Sequence, residues 1–165
     1  METYHLRRKD KEISSQAEMD EILASQKFMT IAMCKDGEPY LVSLNYGYEP
    51  TARVFHFHCA EVGKKLDFLK ANPKVWGQVV EDRGYLRGEC DHAYRCVMFS
   101  GKAEFAEGAE AKRKSLQEMF RQAEGAPDSG RLASMDEKSL AEVTVGRIAV
   151  ETMTGKKGPI KRAKT

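Results

Sequence analysis

Apolar and polar positions along the chain switch between two periods, and the switches mark out the elements. From Ser15 the spacing is helical: Met19, Ile22 and Leu23 recur three and four residues apart, and Ser15 with Glu18 forms a capping box. This predicts a short amphipathic helix to about Gln26. Residues 28–34 then read as a strand, Asp36-Gly37 signals a tight hairpin, and residues 39–48 form the return strand with Pro39 at its tolerated first position. After a turn at 49–52, residues 53–60 alternate strictly, with Val54, His56 and His58 on one face and Phe55, Phe57 and Cys59 on the other.

Helical spacing returns in residues 64–71 through Leu66, Phe68 and Leu69, and Asn72-Pro73 stops it. Residues 74–81 predict a fourth strand, 82–91 a glycine-containing loop, and 94–106 a long strand with Gly101 as a bulge or close approach. A helix over 110–124, a loop over 125–130 and a final strand over 140–153 complete the pattern. Trp76 and Phe57 are expected in the core. About six strands joined mostly by tight hairpins imply antiparallel pairing, and a barrel removes the unpaired edges. The βαβαβ alternation of a doubly wound sheet is missing.

Composition adds bounds. The 165 residues, 41% apolar and 32% charged, suit one folded domain (1–165) with a charged lead-in (1–14) and a flexible tail (155–165). The net charge of +2 gives no strong basic field, so no nucleic-acid partner is expected. The charged start does not resemble a signal peptide, and no apolar run approaches the roughly 18 residues of a membrane span. Cys34, Cys59, Cys90 and Cys96 form no CxxC pair, so neither a zinc site nor a disulfide framework is expected. A reducing cytoplasm is the simplest setting.

The chemistry concentrates in residues 55–65. A strand carrying His56 and His58 ends in a glycine turn, and Gly63, Lys64 and Lys65 open a helix. Cations are disfavoured at a helix N-terminus unless an anion compensates them, so the turn reads as a phosphate site. His56 and His58 stand roughly 6.5–7 Å apart on a regular strand. No Asp, Glu or Cys shares their face, so no metal site is expected. Cys59 and His58 point to opposite faces, which argues against a Cys–His nucleophile pair. His58 remains a phosphate or substrate contact and the candidate proton donor.

The chain resembles the pyridoxamine 5'-phosphate oxidase-like flavin-binding split barrels, nearest the branch of nitroimidazole-resistance proteins. The resemblance rests on Arg7-Arg8-Lys9-Asp10-Lys11-Glu12-Ile13, on Asp36-Gly37-Glu38-Pro39-Tyr40-Leu41-Val42-Ser43-Leu44-Asn45-Tyr46, on Phe57-His58-Cys59-Ala60 followed by Gly63-Lys64-Lys65-Leu66, on Asn72-Pro73-Lys74-Val75, on Tyr94-Arg95-Cys96-Val97 with Gly101-Lys102-Ala103, and on Thr154-Gly155-Lys156. It implies a mainly β fold, a Greek-key-like six-stranded antiparallel split barrel with flanking helices. It also implies a homodimer holding FMN, or less often FAD, at the subunit interface. The phosphate would sit at Gly63, Lys64 and Lys65 beside His58. The ring edge would lie along Val42, Ser43, Leu44 and Asn45, Cys96 would contact the phosphate, and Gly155 and Lys156 would close over the flavin from the partner subunit.

Cys96 stands where many relatives carry serine, and a thiol is a weaker donor. Ser43 and Asn45 could equally be the solvent face of a sheet, and Lys156 part of a frayed end. With no histidine after His92, the C-terminal substrate segment of vitamin oxidases is missing. The implied activity is reduction of a nitroaromatic or quinone by NAD(P)H. A non-catalytic flavin-binding or redox-sensing protein and a deazaflavin-dependent reductase stay open as alternatives.

Overall fold

The computed structural model describes residues 7–125 and 130–159. Its strands are β1 (Glu12–Ile13), β2 (Phe28–Lys35), β3 (Glu38–Asn45), β4 (Gly47–Glu49), β5 (Val54–Cys59), β6 (Lys74–Leu86), β7 (Asp91–Phe105) and β8 (Thr144–Lys157). The α-helices are α1 (Gln16–Ser25), α2 (Lys64–Ala71), α3 (Ala109–Glu124), α4 (Gly130–Ala133) and α5 (Glu137–Ala141). All strand pairs are antiparallel, in the order β3-β2-β6-β7-β8-β5-β4, with β1 added against β8. The two sheet margins, β3 and β4, are separated in the chain by Tyr46 alone. The sheet therefore curls on itself and leaves a slit between β3 and β5. This is the mainly β split barrel that the resemblance implied, with eight strands among the described residues in place of the six expected.

Alternation fills the barrel. Phe55 and Phe57 from β5, Val97 and Phe99 from β7, and Met29 and Ile31 from β2 are fully buried in one cluster. Phe55 and Phe99 stack with ring centroids 4.1 Å apart. Helix α1 closes one end with Met19, Ile22 and Leu23, and Ser15 Oγ accepts from the Glu18 amide as the capping box requires. Arg95 on β7, 8% exposed, anchors that end. It donates to Glu81 through Nε (2.6 Å) and Nη2 (2.9 Å) and to Glu21 of α1 through Nη2 (2.8 Å).

Helix α3 lies across β4 and β5 so closely that a Cβ on Gly47 would collide with the backbone of Glu118 and Met119. Gly47→Ala must push α3 away from the barrel. The expected cost is about 1–3 kcal/mol, read as a thermal midpoint lower by roughly 5 °C. The same contact covers His56, which is 2% exposed. Neither of its ring nitrogens has a hydrogen-bond partner among the described residues, although Nε2 lies 3.5 Å from Glu49 Oε2.

Burial pushes the His56 pKa down, against the pull of Glu49 and Glu118, while Arg147 adds to the lowering. The unfolded chain then binds a proton that the folded one does not. Stability should therefore fall as pH drops below about 6.5, toward the depressed folded value. His56→Phe is expected to flatten that part of a pH series of urea unfolding midpoints.

Five local expectations change. The loop over 82–91 is the end of a long hairpin, β6 running to Leu86 and β7 starting at Asp91, with an irregularity between Asp82 and Tyr85. The final strand starts at Thr144. Leu140 belongs instead to α5, whose N-cap Asp136 accepts from the Ser139 amide at 2.8 Å. Part of the lead-in is ordered, because β1 pairs with Gly155 and Lys156 of β8. Hence Gly155–Lys157 is strand and not tail. Trp76 is 43% exposed, since Val75 and Val79 take the inward positions of β6.

Residues 1–6 of the lead-in, 126–129 of the expected loop and 160–165 of the tail lie outside the described residues. Among the described residues no helix is long and apolar enough to cross a membrane.

Candidate functional site

The slit between β3 and β5 opens at the N-terminus of α2. Gly63 caps this helix with φ 143° and ψ 161°, a conformation that favours glycine, and a Cβ there would meet nothing within 4 Å. As the first two residues of the helix, Lys64 and Lys65 have amides without an intrahelical acceptor, and no side chain caps them among the described residues. The turn encloses a cavity of about 220 Å³ with Tyr40 and Val42 of β3 and Cys59 of β5.

The two lysines differ. Lys64 is exposed, donates to Glu38 Oε1 at 2.7 Å, and lies 4.9 Å from the Tyr40 ring centroid. Its ammonium holds the Glu38 carboxyl below the usual range. Lys65 is half-buried and has no carboxylate partner among the described residues. Burial pushes the Cys59 thiol up, and Lys65 opposes that shift. Unpaired amides, an uncompensated ammonium and open volume together make a site that fits a phosphate group.

A second cavity, about 480 Å³, lies between α3 and the other end of the slit. His58 and Asn45 line it from the barrel side. Asn45 Nδ2 also donates to the Lys27 carbonyl at 3.2 Å. Gln122 of α3 closes the neighbouring end by donating to the carbonyls of Leu23 and Ala24 in the last turn of α1 and of its C-cap Gln26.

The expected site residues thus separate into four places. Val42, Gly63, Lys64 and Lys65 share the smaller cavity. Asn45 and His58 share the larger one, so the imidazole does not face the phosphate turn; Cys59 does. Leu44 is buried in the core. Ser43 bonds Thr30 across the hairpin at 3.1 Å, on the outer face of the sheet.

Strand register carries Cys96 onto that face opposite Val80, and Lys156 opposite Cys96. Cys96 is 6% exposed and its thiol is pushed up by burial, with Lys156 pulling it down. Sequence reasoning missed the face itself, where Trp76, Leu41 and Met98 enclose a groove of about 270 Å³. Its signal was the alternation of Trp76 with Val75 and Val79. It also missed the apolar wall supplied by α3, which was legible as helical spacing but had no known partner surface. Among the described residues no group of three His, Cys, Asp or Glu is placed to hold a metal ion.

The sequence model of the pyridoxamine 5'-phosphate oxidase family matches residues 15–157. A candidate 5-nitroimidazole antibiotic resistance protein from Bacteroides thetaiotaomicron is 25% identical, with a TM-score of 0.75 over 88% of this chain and 85% of that one. A FAD and heme binding protein from Mycobacterium smegmatis is 20% identical, with a TM-score of 0.74 over 94% of this chain and 77% of the other. A flavocytochrome from Azotobacter vinelandii is 16% identical, with a TM-score of 0.78 over 96% and 74%. An uncharacterized protein from Rhizobium meliloti is 30% identical over 69 residues, 42% of this chain; the chain spans 44% of that relative's length.

Proposed function

The chain belongs to the pyridoxamine 5'-phosphate oxidase family, and from that premise we propose that it is a flavoprotein, holding FMN by its phosphate at the Gly63–Lys65 turn. The observation that carries this reading is the half-buried, uncompensated Lys65 beside two unpaired amides at the mouth of a 220 Å³ cavity. Relatives described as binding FAD support a flavin in general. β3 contributes as a sheet margin. Among the described residues one side of its backbone has no strand partner, so Val42–Asn45 can offer N–H and C=O groups to a flavin edge.

Bound flavin supplies reversible two-electron chemistry. The chain's own residues anchor and orient. Lys65 and the α2 amides hold the anionic end, and β3 aligns the ring. His58 stands in the larger cavity, where it could give a proton to an acceptor oxygen. The proposed net reaction moves one hydride from reduced nicotinamide and one proton to a small electrophile, a quinone or nitroaromatic. The exposed groove of Leu41, Trp76 and Met98 is the proposed contact of a homodimer.

The test is direct. The purified protein should be yellow, mass analysis of the released cofactor should give FMN, and anaerobic mixing with NADPH or NADH should bleach the visible band within seconds. A colourless protein that takes up no added FMN overturns the reading.

A further inference from the structure

The larger cavity is built for a different ligand from the smaller one. Leu116, Met119, Phe120 and Ala123 follow the three- and four-residue spacing of one face of α3, and Met135 and Val143 extend the same apolar wall. The volume of about 480 Å³ falls in the range of small-molecule sites. Polar groups come chiefly from the barrel side, where Asn45 and His58 stand.

The charge pattern then narrows the class. The single lysine that lines the cavity, Lys27, donates its ammonium to the Gln122 carbonyl. No arginine lines the cavity among the described residues, and the remaining charged group is the carboxylate of Glu124. A phosphate ester would find one engaged cation and one like charge there. A flat apolar ring system would find two methionines, whose polarizable thioethers pack well on aromatic edges.

We infer that this cavity binds an uncharged aromatic of two fused rings bearing a nitro or carbonyl oxygen, with the rings against α3 and the oxygen toward Asn45 and His58. The phosphate-bearing substrate in the family's name does not suit it. That the ligand serves as the electron acceptor rests on the flavin reading above; its seating in the cavity does not.

The test uses the purified protein with whatever cofactor it carries, and two probes: 2-nitronaphthalene and pyridoxine 5'-phosphate. Methionine methyl groups are labelled, and the resonances of Met119 and Met135 are followed among the 8 methionines. Calorimetry supplies the affinities. 2-Nitronaphthalene should shift both resonances and bind more tightly than pyridoxine 5'-phosphate.

Ala123 is exposed at the cavity mouth, so Ala123→Phe should fold normally and fill the space. It is expected to weaken the nitro probe about ten-fold or more, with thermal midpoint and flavin content unchanged; Ala123→Ser should bind like the parent. Equal affinity in Ala123→Phe, or tighter binding of the phosphate probe, overturns the assignment. A colourless protein that takes up no added FMN but still binds 2-nitronaphthalene supports the cavity and sinks the flavin reading, whereas a yellow protein that ignores the probe does the reverse.

Discussion

Lys65→Glu is expected to abolish flavin retention. Lys65 is the ammonium of the basic turn with no carboxylate partner among the described residues, and it is half-buried. A charge-assisted contact to a phosphate is worth about 1.5–3 kcal/mol, so Lys65→Met should raise the dissociation constant about 10- to 100-fold. Reversing the sign adds repulsion of similar size at contact distance, which takes the loss to about 1,000-fold. Lys64→Ala should change far less, because its exposed ammonium is already spent on Glu38 at 2.7 Å. Quenching of free FMN fluorescence on titration into cofactor-stripped protein measures all three. Full FMN affinity in Lys65→Glu would place the anchor elsewhere.

The second large effect is on stability. Arg95 faces Glu81 across the β6–β7 ladder and reaches Glu21 of α1, with its own side chain 8% exposed and Glu81 17% exposed. Removing one member of a buried pair strands the other, so Arg95→Ala should cost about 3 kcal/mol and lower the thermal midpoint by roughly 6–12 °C. The acid limb reports the same contact. Arg95, aided by Arg83, holds the Glu81 carboxyl down at about 2. A lowered carboxylate contributes stability above its unfolded value near 4.3, and that contribution is lost as pH falls toward 2. Arg95→Ala should remove this part of the acid dependence as well as the stability. Urea unfolding at pH 3 and pH 7 checks both, and parent and variant curves that stay parallel across that window would refute the linkage.

Local rules carried far in this chain. Ser15 with Glu18 located α1, Asp36-Gly37 located the β2–β3 hairpin, and the alternation of Phe55 and Phe57 with His56 and His58 sorted the faces of β5. What escaped was long-range. Gly84 and Gly88 punctuate residues 82–91 as a loop, yet the ladder of Tyr85 with His92 and Leu86 with Asp91 keeps the ribbon paired. Leu140 fits either period, and the Asp136 cap that decides for a helix was overlooked.

For the site, the charge argument at Lys64 and Lys65 needed only neighbours in sequence. The split of Lys65 from His58 into two cavities needed the position of α3. Helical spacing announces an apolar face but not what it covers. The exposure of Trp76 likewise depends on which face of the sheet is left bare.

β8 lies between β7 and β5 in the sheet but follows every other described element in the chain. During synthesis, then, two unsatisfied ladders must wait for the central stave to emerge from the ribosome. Phe55 gains its partner Ile148 only after nearly a hundred further residues are made, an estimate of the delay set by high contact order. Slow, late closure leaves the nascent chain exposed to mispairing and to chaperones. A premature stop before β8 would leave β5 without its long partner, so neither cavity would be held in shape even though every residue that lines them had already been translated.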